Sequence, residues 1–497
     1  MNFVRLVVVA AVFVTAMTSV TPKTTEQPTV PGISGPLAET PTSHAFLASA
    51  FQKRPLYLGK LGYIEEEYLI SGEARVFERP GRSGKKVLGK GPYVTRILVR
   101  RPRDDRRFNG TAIVEPLNPS SPVDLPIMWA ESHQQFISDG YAWVGITIKP
   151  NTIKSLKKFD PARYATLGMP NPRPGPACSA REINPWAQPT TPADETGLAW
   201  DMLSEVGMLL KSHSPKNPLS RPAERLYMTG QSQTGGYSRA FASVFGQTDV
   251  GPDGKPLYDA YIYSGSPPWQ VPLNQCAKDF SPGDPRLLTA AAGVPIIEMF
   301  TQADMGTNVE TRRPDSDVLP DLFRRYEIAG AAHVDPWEAL SFASDADMVR
   351  ATGTATSAGP ACEPTGVEPS DFPVRYIFDA AWRILDNWVR HGVPAPRGTP
   401  LELKPSAGPF LPDKAFVVDA QGNAKGGVRT PYVDVPTARW IGAKTGAFQC
   451  LFQGYKYELG KAERKRLYGN HDRYVAQVRA DAAKLEAQHW LTPTDAA

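Results

Sequence analysis

Residues 230–236 read Gly-Gln-Ser-Gln-Thr-Gly-Gly, a serine hydroxyl among small neighbours. A serine in such a setting can attack an acyl carbonyl, provided a base takes its proton and an acid orients the base. The flanks suit that role. Arg225–Thr229 has the composition of a short buried strand, and Tyr237, Phe241, Val244 and Phe245 follow at helical spacing. A serine on a tight strand-to-helix turn has its hydroxyl pushed out of the backbone. The strict pattern G-x-S-x-G is not met, because position 234 is Thr and the glycines fall at 235 and 236. The competing reading makes Ser232 a helix N-cap, a role worth about 1 kcal/mol.

Two further side chains are needed, in a fixed order. Asp304 follows the apolar run Val294–Phe300 in Thr301-Gln-Ala-Asp304 and is the candidate acid. A turn aspartate satisfying local amides is the bland alternative; Asp315 and Asp317 are runners-up, and Glu298 lies within the strand. His333 follows the run Phe323–Ile328 through Ala329-Gly-Ala-Ala and is the candidate base. Of the seven histidines it alone sits at a strand-to-loop junction downstream of both partners. Backbone amides aimed at the developing oxyanion complete such a site. The amide after the serine, Gln233, is one expected donor. The second is expected from Glu115-Pro-Leu-Asn-Pro-Ser-Ser121. Pro116 and Pro119 carry no N–H, which leaves Leu117 or Asn118; the Asn118 side chain could instead brace that turn.

The elements that must position these groups alternate strand and helix. Tyr93–Arg100, Gly110–Glu115, Tyr141–Ile148, Arg225–Thr229, Tyr258–Tyr263, Val294–Phe300 and Phe323–Ile328 read as strands. Leu125–Ile137, a stretch from Asp194 (its N-cap) to Leu210, about 373–391 and Asp472–Trp490 read as helices. Such alternation predicts an α/β fold: a mostly parallel central sheet flanked by helices. Residues 150–192 and 337–372 lack regular patterning and are expected as insertions that wall the site, with Trp186, Trp269 and Trp337 as candidate wall residues. Residues 44–497 are expected to form one domain.

The chain has 497 residues, 49 of them proline, and a net charge of +4 without a long Lys/Arg tract. Nucleic acid is therefore not an indicated partner. Met1–Arg5 and the apolar run Leu6–Met17 predict a signal peptide over 1–18, with an uncleaved anchor as the alternative. Residues 19–43 are expected to be a flexible leader, and stable membrane insertion is not expected after cleavage. Export, to the periplasm or the medium, agrees with four cysteines, Cys178, Cys276, Cys362 and Cys450. They allow up to two disulfides in three pairings, which the sequence leaves open. None has C-x-x-C spacing, and no metal-ligand cluster or cofactor motif is visible.

The chain resembles the alpha/beta-hydrolase domain-containing family, exported and mostly uncharacterised bacterial and fungal serine hydrolases. The resemblance runs from about residue 60 to near the C-terminus. It rests on Val114-Glu-Pro-Leu-Asn118, residues 230–237, Thr301–Asp304, Arg325–His333 and Gly426–Pro436. It implies the alpha/beta-hydrolase fold and carboxyl-ester hydrolysis by Ser232, His333 and Asp304. Relatives often carry an acidic residue where this chain has Gln302, and Trp where it has Pro116. The expected activity is an exported serine esterase without metal or cofactor, acting on a small or polymeric ester. Amide, lactone or polyester cleavage would use the same residues. The rival from another class is a catalytically silent binding protein on the same fold. Natural substrate and oligomeric state stay open.

Overall fold

The computed structural model describes residues 25–81, 84–173, 192–269, 271–355, 362–405, 411, 413–445 and 448–497. Its centre is a ten-stranded sheet. In chain order the strands are β1 (Gly32–Ser34), β2 (Tyr63–Glu78), β3 (Lys86–Pro102), β4 (Thr111–Pro116), β5 (Ala142–Ile146), β6 (Arg225–Gln231), β7 (Ala260–Ser264), β8 (Ile296–Thr301), β9 (Ser316–Val318) and β10 (Asp321–Ile328). In space they run β1-β2-β3-β5-β4-β6-β7-β8-β10-β9. The six strands from β5 to β10 in that row are mutually parallel. Pairing is antiparallel at both edges. Every residue of β4, β5, β7 and β8 is buried, as a sheet covered on both faces requires.

The helices that matter for the site are α1 (Ile127–Asp139), α2 (Pro150–Phe159), α3 (Ala199–Lys211), α4 (Gln233–Val244), α5 (Gln302–Asn308), α6 (Asp345–Thr352) and α7 (Arg375–His391). The crossover β4-α1-β5 runs one way along the sheet and β6-α4-β7 the other. Right-handed crossovers in opposite directions place α1 and α4 on opposite faces. Phe136 of α1 meets Trp382 of α7 edge-on at 5.0 Å, and the Trp382 indole donates to Ser132 Oγ at 2.9 Å. Trp200 of α3 stacks on Tyr237 of α4 at 4.8 Å.

Several expectations need correction. The hairpin β2–β3 is far longer than the expected Tyr93–Arg100 strand. Its apolar alternation is masked by buried ion pairs: Arg96 reaches Glu67 and Asp124, each at 2.9 Å, and Arg100 reaches Glu65 at 2.6 Å. Residues 25–43 are not a loose leader. β1 pairs with β2, the Glu26 amide donates to the Thr248 carbonyl at 2.7 Å, and Thr29 Oγ1 donates to Glu205 at 2.8 Å. Residues 1–24, which include the expected signal, lie outside the described residues. The α3 helix starts at Ala199, after a turn capped by Glu195 rather than by Asp194.

The two expected insertions contain helices, α2 and α6, that pack on each other. Arg350 of α6 lies over the Phe159 ring of α2 at 4.1 Å and donates to its carbonyl at 3.1 Å. Cys362 and Cys450 form a disulfide; Cys276 is also disulfide-bonded, and Cys178 and Trp186 lie outside the described residues. Among the described residues no helix is long and apolar enough to cross a membrane.

Candidate active site

The sheet reverses its direction of growth between β4 and β6, since β4 leads outward to β5 and β6 leads the other way to β7. The crevice beyond the C-terminal ends of two such strands is where α/β proteins bind ligands. Ser232 stands there, at the junction of β6 and α4. Its backbone has φ 57° and ψ −123°, left-handed φ that a side chain tolerates only under constraint. The neighbours supply the constraint. A Cβ at Gly230 would lie 2.4 Å from the Thr234 carbonyl, and one at Gly235 would lie 2.4 Å from the Ser264 carbonyl. Thr234, the residue that breaks the strict pattern, closes the turn: its hydroxyl donates to the Gln231 carbonyl at 3.0 Å. No glycine is needed at 234, because the close approaches fall at 230 and 235.

Ser232 makes no side-chain cap bond to α4, which removes the N-cap reading. Its Oγ lies 3.0 Å from His333 Nε2. His333 Nδ1 lies 2.5 Å from Asp304 Oδ1. The carboxylate can only accept, so Nδ1 carries the proton and Nε2 offers its lone pair to the serine hydroxyl. Asp304 is held in turn by Thr301, whose amide and hydroxyl donate to Oδ2 at 2.8 and 2.9 Å in a capping box at the start of α5. One feature of Asp304 thus serves both readings raised by the sequence: Oδ2 satisfies a local turn and Oδ1 orients the histidine. Gln302 accepts the Gly330 amide at 2.9 Å and ties α5 to the His333 loop. Gly265 allows the His–Asp pair to close, since a Cβ there would lie 2.9 Å from His333 Cε1. The Phe452 ring packs on His333 at 4.7 Å.

The alternative carboxylates are committed elsewhere. Asp315 accepts the Arg325 amide, Asp317 pairs with Arg324 and Arg397, and Glu298 pairs with Arg325 inside the core. Of the expected wall residues, Trp269 accepts Arg239 through its carbonyl, and half-exposed Trp337 lies under the guanidinium of Arg375.

The two amides expected to offer a second oxyanion donor are both engaged in backbone pairing. The Leu117 amide donates to the Ile146 carbonyl at 2.9 Å, extending the β4–β5 ladder. The Asn118 amide donates to the Leu125 carbonyl at 2.8 Å. The Asn118 side chain braces the turn: Nδ2 donates to the Gln231 carbonyl and Oδ1 accepts the Ser120 amide, each at 2.8 Å. Helix α2 buttresses the same loop, with Asn151 donating to the Pro119 carbonyl at 3.2 Å and Ser155 to the Pro122 carbonyl at 2.6 Å. Gln233 opens α4.

Beneath the His333 loop lie three buried carboxyl groups, Glu131 of α1 with Asp335 and Glu338. Asp335 accepts the Trp337 amide at 2.8 Å and the Val374 amide at 3.2 Å, and its own amide donates to Glu338 at 3.1 Å. Burial pushes Glu338 up to about 8 and Asp335 up to about 6, and raises Glu131 well above the carboxylate range. Burial thus favours the protonated form within this carboxyl cluster. Lys149, buried at the N-cap of α2, is lowered to about 7 by the same desolvation. Among the described residues no group of His, Cys, Asp and Glu is arranged to hold a metal ion.

Sequence reasoning missed Gln231, Gly265 and Thr301 as parts of this site. Gln231 was within reach, being next to the serine; Gly265 and Thr301 carry no signal that a single sequence displays.

A comparison with curated proteins finds no match. Among solved structures, similarity is found to the serine hydrolase XC6422 of Xanthomonas campestris (12% identity, 52% of this chain and 84% of that chain, TM-score 0.24). It is also found to glucuronoyl esterases of Solibacter usitatus (10% identity, 54% and 77%, TM-score 0.26) and Teredinibacter turnerae (11% identity, 60% and 74%, TM-score 0.27). Superpositions this loose carry no argument about substrate. The sequence itself is more decisive: residues 33–497 match the family model described as an alpha/beta hydrolase domain, and the chain belongs to that family.

Proposed function

We propose that this protein is an exported serine hydrolase that cleaves carboxylic esters through an acyl-enzyme. The observation that carries the reading is the His333 ring held between Ser232 Oγ at 3.0 Å and Asp304 Oδ1 at 2.5 Å. His333 Nε2 takes the hydroxyl proton as Ser232 Oγ attacks the ester carbonyl, and Asp304 stabilises the imidazolium. The Gln233 amide, at the positive end of α4, steadies the oxyanion; its companion donor comes from outside the amides of 117 and 118. The imidazolium then protonates the leaving alkoxide, and water, activated by the same ring, releases the acid. Export is supported by the charged and apolar residues 1–17 and by the Cys362–Cys450 bond.

The test is hydrolysis of p-nitrophenyl esters of graded chain length by the mature protein, beside Ser232→Ala. Turnover by the wild type alone is the expected result. Equal rates in both proteins would exclude Ser232 as the nucleophile. Silence from both, with no labelling of Ser232 by an organophosphonate, would favour the binding protein.

A further inference from the structure

We propose that Gln231 is a positioning residue that clamps His333 and keeps its Nε2 in the proton-accepting state. The proposal rests on the serine hydrolase reading and goes beyond it. Gln231 is 4% exposed and immediately precedes the nucleophile. Its side-chain nitrogen lies 3.0 Å from the His333 carbonyl and 3.2 Å from His333 Nε2. A carbonyl only accepts, so the group facing it is the NH2, which settles which way the amide points. One hydrogen goes to the backbone of His333 and the other faces the ring nitrogen. A single side chain thus fixes both the loop and the imidazole.

The electrostatic consequence follows from the same orientation. In the free base, Nε2 presents a lone pair to the Ser232 hydroxyl and to the Gln231 N–H. Once Nε2 holds the serine proton, Nε2–H and the Gln231 N–H stand donor against donor. Gln231 therefore disfavours the imidazolium and urges the proton on to the leaving alkoxide, while Asp304 on the opposite nitrogen favours it. Two residues along the chain from His333, Asp335 belongs to a carboxyl cluster with Glu338 and Glu131, with Arg375 beside it. Gly265 and Phe452, which touch the ring, carry no charge. The Gln231 backbone is anchored independently, its carbonyl accepting Asn118 Nδ2 at 2.8 Å and Thr234 Oγ1 at 3.0 Å. Changing the side chain leaves those bonds intact.

The test compares the pH dependence of kcat/KM on a p-nitrophenyl ester for the wild type, Gln231→Leu and Gln231→Glu. Organophosphonate labelling of Ser232 against pH reads the same limb if turnover is too slow. Gln231→Leu is expected to lower kcat about tenfold at unchanged KM and to move the acid limb upward by about half a unit. Gln231→Glu, which sets a carboxylate beside Nε2, is expected to move it by about one unit or more. Acid limbs that coincide with the wild type in both variants would overturn the proposal, whatever happens to kcat, because a purely structural role would slow the enzyme without moving them. A wild type that neither turns over ester nor is labelled at Ser232 would overturn the serine reading and this proposal together.

Discussion

Among the described residues are two buried His–Asp pairs, and only one of them faces a serine hydroxyl. His333 and Asp304 meet at 2.5 Å beyond the C-terminal ends of β10 and β8, with Ser232 at the far nitrogen. His44 Nε2 lies 3.0 Å from Asp347 Oδ2, and its ring stacks on Phe51 at 3.7 Å, with Phe159 edge-on at 5.3 Å. The first pair divides its two nitrogens between an acid and a hydroxyl. The second spends Nε2 on the carboxylate and encloses the ring in aromatic faces, stapling the N-terminal segment to α6. A histidine beside a carboxylate is thus not a site; the strand ends that deliver a third group to the other nitrogen make it one.

The sharpest way to break the contrast is at Ser232 itself. Ser232→Ala is expected to lower kcat by about 10⁴-fold or more in an ester assay while leaving the melting temperature close to wild type. Asp304→Asn, which upsets the tautomer that Nδ1 must adopt, is expected to cost about 10³–10⁴-fold in kcat. Gly265→Ala should come next, with a loss of about 10–100-fold. The added methyl, at φ 56°, pushes on His333 Cε1, and a misplacement of about 1 Å costs a site of this kind that much.

His44→Ala should show the opposite profile. It is expected to leave kcat/KM within about twofold of wild type and to lower unfolding stability by about 1–3 kcal/mol in a urea titration, because Asp347 loses a buried partner. Matching losses of activity in His44→Ala and Asp304→Asn would erase the distinction.

The smallest effect is a slope. Glu338 and Asp335 have raised folded values, about 8 and about 6, so the folded chain keeps protons that the unfolded chain releases. Their contribution to stability is full below the ordinary carboxylate range and is lost as pH rises toward 8. The melting temperature is expected to fall over that window. Glu131→Gln, whose amide donates without a titrating proton, is expected to flatten the fall; an unchanged slope would show that the cluster does not share a proton.

How well each region could be read from sequence follows its physics. β4, β7 and β8 are short, largely apolar runs because both faces of a parallel sheet are covered, and each is recognisable at nearly its true position. β2 escaped because Glu67 faces inward, held by Arg96, Arg163 and Tyr164, so a charge stands where alternation asks for an apolar residue. Within the site, Ser232, Asp304 and His333 were readable from their order after successive strands. Leu117 and Asn118 were misassigned as oxyanion donors because a sequence shows which residues own an N–H and not which N–H groups are already spent. The described part, residues 25–43, of the segment 19–43 expected to be loose is held through long-range contacts to Glu67, Glu205 and Thr248 that no local window contains.

The sequence by itself determined the chemistry available: one serine on a strand-to-helix turn, an acid and a base after later strands, and enough apolar runs for a covered parallel sheet. Those are local properties, written in residue type and spacing. Tertiary structure alone decided which groups meet. It turned Gln231 onto His333, opened room at Gly265, withdrew the amides of 117 and 118 into backbone pairing, and set Ser232 beside His333 rather than beside His44. Each of these depends on distances between residues far apart in the chain, and only the closed packing of the sheet and its helices fixes them.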